Sequence, residues 1–331
     1  MAFEKRRLAL SFALALLASS GCTPPETPPP PPPPLPDGWT ALQPMRQGEG
    51  EAAAVELDGK IYVFGGFDTR DTVQIYDIAT DTWRIGPPLY FGTDNAGALA
   101  IGGKIHVFGG EASPSVQVLD VATETWSLGP DLPYPRYASV VEWLEGKAHL
   151  VGGWSLDRTN NISTTSHAVF DPAIPGYVAG GAAPASTARN HAFSGVIEGK
   201  LYATGGRKPG HEGEDAQNVA LTEVYDPAFD RWAPLASLPT PRSGGGSAVL
   251  DGKLYVLGGG LPGNSVHATI ERYDPVTDQW EQLGDMPTPR TGHCVVAASG
   301  SLYVLGGFFS SGSSRTGNSG TNAFYRYTPT P

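Results

Sequence analysis

Arg136, Arg189, Arg242 and Arg290 occupy one recurring place in this chain. Each stands thirteen residues before the second residue of an apolar segment that ends in a diglycine. Glu49 and Thr93 hold the same place in two earlier copies. The residues that follow are Gly50, Asp94, Tyr137, Asn190, Ser243 and Thr291, five of which can hydrogen-bond through their side chains. Directly after the diglycines come Phe67, Glu111, Trp154, Arg207, Gly260 and Phe308. A guanidinium fork binds carboxylates and other anions through paired N–H groups. Clustered in a chain of net charge −11, these arginines predict a locally basic, aromatic funnel. Trp154 could stack on a sugar face. A second reading stands beside this one, in which the arginines bond backbone carbonyls or pair with acids and hold the fold together.

A repeat must position these residues. The diglycines fall at Gly65-Gly66, Gly109-Gly110, Gly152-Gly153, Gly205-Gly206, Gly258-Gly259 and Gly306-Gly307, with spacings of 44, 43, 53, 53 and 48. Downstream of the first five comes a segment ending in Tyr76-Asp77, Leu119-Asp120, Phe170-Asp171, Tyr225-Asp226 or Tyr273-Asp274. Six residues after each Asp sits Trp83, Trp126, Tyr177, Trp232 or Trp280. Asp58-Gly59-Lys60 and its relatives precede each diglycine strand, and such Xaa-Gly pairs supply the positive φ of tight hairpins. The sixth copy stops at Pro331 without its last aromatic strand, whereas Trp39-Thr40-Ala41-Leu42 reads like Trp280-Glu281-Gln282-Leu283. The N-terminal strand is therefore expected to complete the last copy.

This pattern resembles the kelch repeat, whose diglycine and spaced aromatics build four-stranded blades of a β-propeller. The resemblance covers residues 37–331 and implies an all-β, six-bladed ring. Residues 37–47 would supply the closing strand, and the blades would fall at about 48–88, 89–133, 134–184, 185–239, 240–287 and 288–331. The Xaa-Gly-Lys turns and the turns before the aromatics then share one face. The blade-linking loops and the loops after the diglycines share the other. From the first glycine to the aromatic before Asp, the first five blades take 11, 10, 18, 20 and 15 residues. Variable loops on a rigid scaffold are the usual place for binding. His106 and His149 take a second-strand position that is Tyr in the other blades and read as packing residues.

Ahead of the repeat, Lys5, Arg6 and Arg7 precede an uncharged apolar run at residues 8–18, too short for a bilayer span of about 20 residues. It fits a secretory signal. Ser19-Ser20-Gly21-Cys22 resembles a bacterial lipobox, with Ser19 where that family usually has Leu. The resemblance implies a signal peptide at 1–21 and lipid on Cys22, and Thr23 after it favours the outer membrane. Residues 28–34 are all proline. Residues 22–36 would be the lipidated Cys and a Pro-rich tether, whose stretch from Thr23 to Pro36 would reach roughly 43 Å as polyproline II at about 3.1 Å per residue.

Gly 43 and Pro 31 of 331 residues exclude a helix-rich fold. The acidic balance argues against nucleic acid. Cys22 and Cys294 are the only cysteines, so a lipidated Cys22 leaves no intrachain disulfide and makes Cys294 a small buried hydrophobe. Gly258-Gly259-Gly260-Leu261-Pro262-Gly263 lacks the helix of a dinucleotide loop. No cofactor or metal site is expected. Copper radical oxidases share kelch blades, but Cys294 lies inside a strand and does not suit their Cys–Tyr cross-link. The expected function is a monomeric, non-catalytic binding module at the cell envelope, with a protein or glycan as partner. The alternative is a sugar-acid mutarotase resembling the sialic acid epimerase family; that resemblance implies Arg189, Arg242 or Arg290 on the carboxylate and Glu49, Glu111 or His191 as acid or base near the anomeric centre. Cys22→Ala is expected to move the protein from the membrane fraction to the soluble fraction, and its retention in membranes would rule out the lipid anchor.

Overall fold

The computed structural model describes residues 34–330 apart from 111–112, 157–160, 172–180, 209–216, 261–264 and 311–318. The signal segment, Cys22, most of the tether, Glu111 and Tyr177 lie outside the described residues. Every element of regular structure among the described residues is a β-strand. The short strand β1 (Trp39–Ala41) comes first. Blade 1 holds β2 (Ala53–Leu57), β3 (Lys60–Phe64), β4 (Val73–Asp77) and β5 (Thr82–Ile85). Blade 2 holds β6 (Gly97–Ile101), β7 (Lys104–Phe108), β8 (Val116–Asp120) and β9 (Thr125–Leu128). In the third blade, β10 (Arg136–Tyr137) precedes β11 (Val140–Leu144) and β12 (Lys147–Val151). It continues with β13 (Trp154–Leu156), β14 (Asn161–Ser163) and β15 (His167–Phe170). Blade 4 holds β16 (Phe193–Ile197), β17 (Lys200–Thr204), β18 (Thr222–Asp226) and β19 (Arg231–Leu235). Blade 5 holds β20 (Gly246–Leu250), β21 (Lys253–Leu257), β22 (Thr269–Asp274) and β23 (Gln279–Asp285). Blade 6 holds β24 (Cys294–Ala298), β25 (Ser301–Leu305) and β26 (Phe324–Tyr327).

The sheets are antiparallel meanders, ordered β2-β3-β4-β5 in blade 1 and alike in blades 2, 4 and 5. In blade 3, β11-β12-β15 form the described part of the blade, and β10-β13-β14 make a separate ribbon. The sixth sheet runs β1-β26-β25-β24, with Trp39 opposite Tyr327 and Ala41 opposite Tyr325. The expected ring is present, closed by the N-terminal strand.

The repeated aromatics serve the seams between blades. Tyr76 pairs across the sheet with Trp83, and Tyr225 and Tyr273 pair likewise with Trp232 and Trp280. The indole Nε1 of Trp83 donates to Gln43 O at 2.8 Å, in the linker that enters its blade. Trp126, Trp232 and Trp280 donate to Pro87, Ala183 and Ala236 O in the same way. A buried indole needs such a partner, so each Trp pins its blade to the preceding linker. Asp81, Asp230 and Asp278 add a second pin, each accepting from a Tyr hydroxyl and from a linker N–H.

The diglycines let neighbouring blades approach. The second glycine of each donates its N–H to the carbonyl of the arginine-position residue of the next blade: Gly66 to Thr93, Gly110 to Arg136, Gly153 to Arg189, Gly206 to Arg242 and Gly259 to Arg290. Gly307 donates to Glu49 at 2.8 Å and closes the circle. A Cβ on Gly65 would lie 2.2 Å from Thr93 O, and one on Gly110 would lie 1.6 Å from Thr93 Oγ1. No side chain fits there.

Trp39→Ala is expected to cost about 3–5 kcal/mol, the usual range for emptying a buried Trp site, as read by denaturant unfolding. Deleting residues 37–44 bares the edge of β26 and is expected to unfold or dimerise the protein. A truncated chain that stays monomeric with an unchanged midpoint would show that closure is dispensable.

Candidate functional site

The arginine-position side chains turn into the blades. Arg242 is fully buried; its Nη1 donates to Thr269 O at 3.0 Å and its Nη2 to Val256 O at 3.2 Å. The same Nη2 meets Glu271 Oε2 at 2.7 Å, with both side chains at most 1% exposed. Arg189 repeats this with Leu221 O, Ala203 O and Glu223 Oε1. Arg136 reaches Leu150 O and Ser166 Oγ. Arg290 donates to Gly306 O and Thr288 Oγ1 and lies 5.3 Å from the centre of the Tyr325 ring. Glu49 is 1% exposed and accepts from the Thr69 hydroxyl and from the N–H groups of Asp68 and Thr69. Burial holds its carboxyl above the usual range. Each of these buried polar side chains has fixed partners, while the Nε atoms of Arg242 and Arg290 make no hydrogen bond.

Glu223 and Glu271, the partners of Arg189 and Arg242, are absent from the sequence reading. Their signal is the residue two places before the aromatic of the Tyr-Asp pair. That place is Gln74 in blade 1 and Gln117 in blade 2, where the arginine position is Glu49 or Thr93. Gln74 and Gln117 instead bond the linker backbone at Gln47 and Phe91. Tyr325 takes the place in blade 6 and packs on Arg290. A cation at one position thus goes with an anion or an aromatic face at the other in blades 4, 5 and 6.

The other expected contacts divide between wall and interior. Trp154 is 6% exposed and packs on Tyr137 with ring centres 6.2 Å apart. Phe308 is buried and fills the space beside Gly50, where a Cβ would lie 2.1 Å from its ring. Arg207 is half-buried, and its Nε donates to Asn190 Oδ1 at 2.9 Å. His191 belongs to the axis.

The axis is formed two residues beyond the arginine position. Glu51, Asn95, Ala138, His191, Gly244 and Gly292 each donate a backbone N–H to the carbonyl of the preceding member, at 2.6–3.0 Å. The Glu51 N–H to Gly292 O bond closes this circle. All six residues have φ between 51° and 67°. These residues, with Ala52, Ala96, Ser139, Ala192, Gly245 and His293, line a cavity of about 130 Å³ at the mouth of the central channel. Sequence reading names His191 and misses Glu51 and Asn95. The available signal is Asn, Gly and Gly at 95, 244 and 292, residue types that suit a left-handed backbone.

Below the mouth, the channel widens to about 520 Å³ between the inner strands. Glu142 accepts from the Ser194 hydroxyl at 2.7 Å, and burial pushes its carboxyl up to about 7. Ser247 caps the channel edge of β16, accepting from Ser194 N and donating to Ser194 O. His293 is 4% exposed and accepts the Gly246 N–H; burial and Arg290 pull its pKa down to about 3. Cys294 donates its thiol to Ala52 O, and burial raises its pKa to about 12, which leaves it unreactive. His106 and His149 are buried packing groups, both pulled down to about 4 by burial.

The Kelch motif family matches residues 50–90, 188–239 and 241–287, which span blades 1, 4 and 5. Kelch-like protein 33 of Homo sapiens is 40% identical over 79 residues, covering 23% of this chain and 13% of that protein. Kelch-like protein 15 of Danio rerio is 49% identical over 65 residues, 18% of this chain and 10% of its own length. Alpha-scruin of Limulus polyphemus is 35% identical over 72 residues, 22% of this chain and 7% of that protein. The chain therefore spans a small part of the relatives it matches. A solved structure, the structure of YjhT, superposes with a TM-score of 0.72 over 86% of this chain and 96% of its own, at 17% identity. That likeness shows the fold. Together the matches support a kelch-repeat chain.

Arg242→Ala leaves Glu271 buried without its cation. It is expected to cost about 3–5 kcal/mol, the range for breaking a buried pair from one side, as read by denaturant unfolding. A loss under about 1 kcal/mol would return Arg242 to the pool of ligand groups.

Proposed function

We propose that this chain is a non-catalytic interaction module of the bacterial envelope, and that its binding face carries the blade-linking and post-diglycine loops. The kelch matches support a binding or interaction module, whose function is set by the sites carried on the fold. The observation that carries the choice of face is the placing of exposed aromatics. Phe67, Tyr90, Phe91, Tyr134 and Phe309 are 39–59% exposed. All five stand in loops of that face, after the diglycines of blades 1 and 6 or in the linkers leaving blades 1 and 2. Aromatic side chains supply large contact area at low entropic cost and are enriched at binding surfaces. The opposite face shows Phe229 and Val276 singly, in hairpin turns of two different blades, with Arg231 over the Phe229 ring.

Loop length supports the same face. Blades 1 and 2 have the short post-diglycine loops and blades 3 to 6 the long ones; four of the exposed aromatics belong to blade 1 or to the linkers that leave blades 1 and 2, and Phe309 belongs to blade 6. Such a surface suits a protein segment or a glycan laid across blades 6, 1 and 2. The signal-like segment, the lipobox-like Cys22 and the proline tether support a site held off a membrane by an anchor.

Probing peptide and glycan arrays with the full chain tests this reading. Phe91→Ser with Tyr134→Ser is expected to weaken the strongest ligand by about 30-fold or more, the scale of an interface hot spot of about 2 kcal/mol, with the melting temperature preserved. Undiminished binding by that variant, with loss on Phe229→Ser, would place recognition on the other face.

A further inference from the structure

Apart from His293, whose Nε2 is taken by the Gly246 N–H and whose Nδ1 is buried, the polar side chains at the axial mouth present acceptors. Asn190 Oδ1 accepts from Arg207 Nε, so its amide orientation is settled. Its Nδ2 donates to Ser163 Oγ at 2.5 Å, which agrees. His191 Nδ1 lies 2.5 Å from that same Asn190 Oδ1 and must therefore carry the proton. The second ring nitrogen, Nε2, is left as a lone-pair acceptor. Burial and the nearby Arg207 keep the ring neutral. Asn95 Nδ2 donates to Asp94 Oδ1 at 3.1 Å, a carboxylate oxygen that can only accept, so Asn95 Oδ1 is turned the other way. Glu51 adds a carboxylate, and Ser139 already spends its hydroxyl proton on Gly152 O. The remaining wall is mostly Ala and Gly.

We infer that this mouth binds a protonated primary amine, the tip of a lysine side chain or an amino sugar. Resting on the loop face being the binding face, the inference names the chemistry recognised at its centre. An ammonium carries three donors and no acceptor. It is the small group that answers a carboxylate, an amide oxygen and an imidazole lone pair together. Size agrees, since 130 Å³ holds about four waters at about 30 Å³ each and falls below the roughly 300 Å³ where drug-sized pockets begin. The nearest cations stand behind the lining, Arg207 beside His191 and Arg242 and Arg290 beside His293. Glu56 and Glu142 line the channel below, and among the described lining residues of both cavities there is no Lys or Arg. A metal ion suits the place less well, because no group of three His, Cys, Asp or Glu able to hold one occurs among the described residues.

Calorimetric titration of the full chain with Nα-acetyl-lysine amide, its Nε-acetylated form and glucosamine provides the test. The free amine is expected to bind one to one. Nε-acetylation, Glu51→Gln and Asn95→Ala are each expected to weaken it by at least about tenfold. Asn95→Ala keeps the backbone sound, because Ala138 holds the equivalent place with the same φ of 52°. Glucosamine binding in place of the lysine amide would assign the amine to a sugar. Equal affinity for the acetylated form, or Glu51→Gln within twofold of the parent, would overturn the ammonium site. Array binding that depends on Phe91 and Tyr134, without amine binding, would overturn this inference and leave the binding face standing. The absence of both would remove the two together.

Discussion

Two closed circles of backbone hydrogen bonds hold this ring. The outer one runs from each second diglycine N–H to the arginine-position carbonyl of the next blade. The inner one joins residues 51, 95, 138, 191, 244 and 292 directly around the axis. Each bond alone is worth only about 0.5–1.5 kcal/mol net. Their weight is geometric. A circle closes only if the blades' angles together complete one turn, so each linker must deliver its carbonyl and its N–H at fixed points. The diglycines follow from this, because any side chain there would strike the incoming linker. The left-handed φ at the six axial residues follows as well. Even the ring-closing strand serves the circles, since β1 holds β26 and the linker that carries Glu49 and Glu51 into blade 1.

Once the linker backbone is so constrained, the arginine-position side chain has one direction left, into its own blade. Burying a guanidinium there demands partners. Carbonyls at the ends of the second and third strands supply some of them, and Glu223 or Glu271 supplies the charge. Blades 1 and 2 solve the same problem without a cation and therefore without the acid, using Gln74 and Gln117 to bond the linker backbone instead. The two solutions are alternative fillings of one buried slot. An unpaired charge in that slot would cost several kcal/mol, whereas either filled set is acceptable.

That explains what the sequence shows and what it hides. Blades are legible because their markers are local: a diglycine, an Xaa-Gly turn and an aromatic six residues after Asp. Closure is legible because Trp39 matches Trp280 in its neighbours as well as its type. The destination of the arginines is not, because it depends on Glu223 and Glu271, 34 and 29 residues away. Sequence spacing places the arginine backbone near the axis correctly, but it does not say which way the side chain turns. The axial residues are hidden for a different reason. Their common property is a backbone angle, and Glu51 and His191 carry no sign of it in their type. The expected fourth strand of blade 3, where Tyr177 stands in place of Trp, falls outside the described residues.

The axial angle also bears on which of those residues matter. A left-handed φ costs an ordinary L-residue about 1–2 kcal/mol relative to the right-handed region, and costs Gly almost nothing. Blades 5 and 6 use Gly and avoid the cost. Asn95 largely avoids it too, because Asn tolerates this region. Glu51, Ala138 and His191 bear it in full. Ala138 shows that the ring tolerates the strain without any side chain to justify it, so strain alone argues nothing about function. The distinction lies in what the side chains do once there. Ala138 ends at a methyl, while Glu51 and His191 stand in blades 1 and 4, half a turn apart around the same axis, and both line the mouth. Replacing either with Gly would relieve backbone strain and empty the mouth of its carboxylate or its imidazole. Stability and recognition therefore pull in opposite directions at these two positions and at neither of the glycines that share the circle.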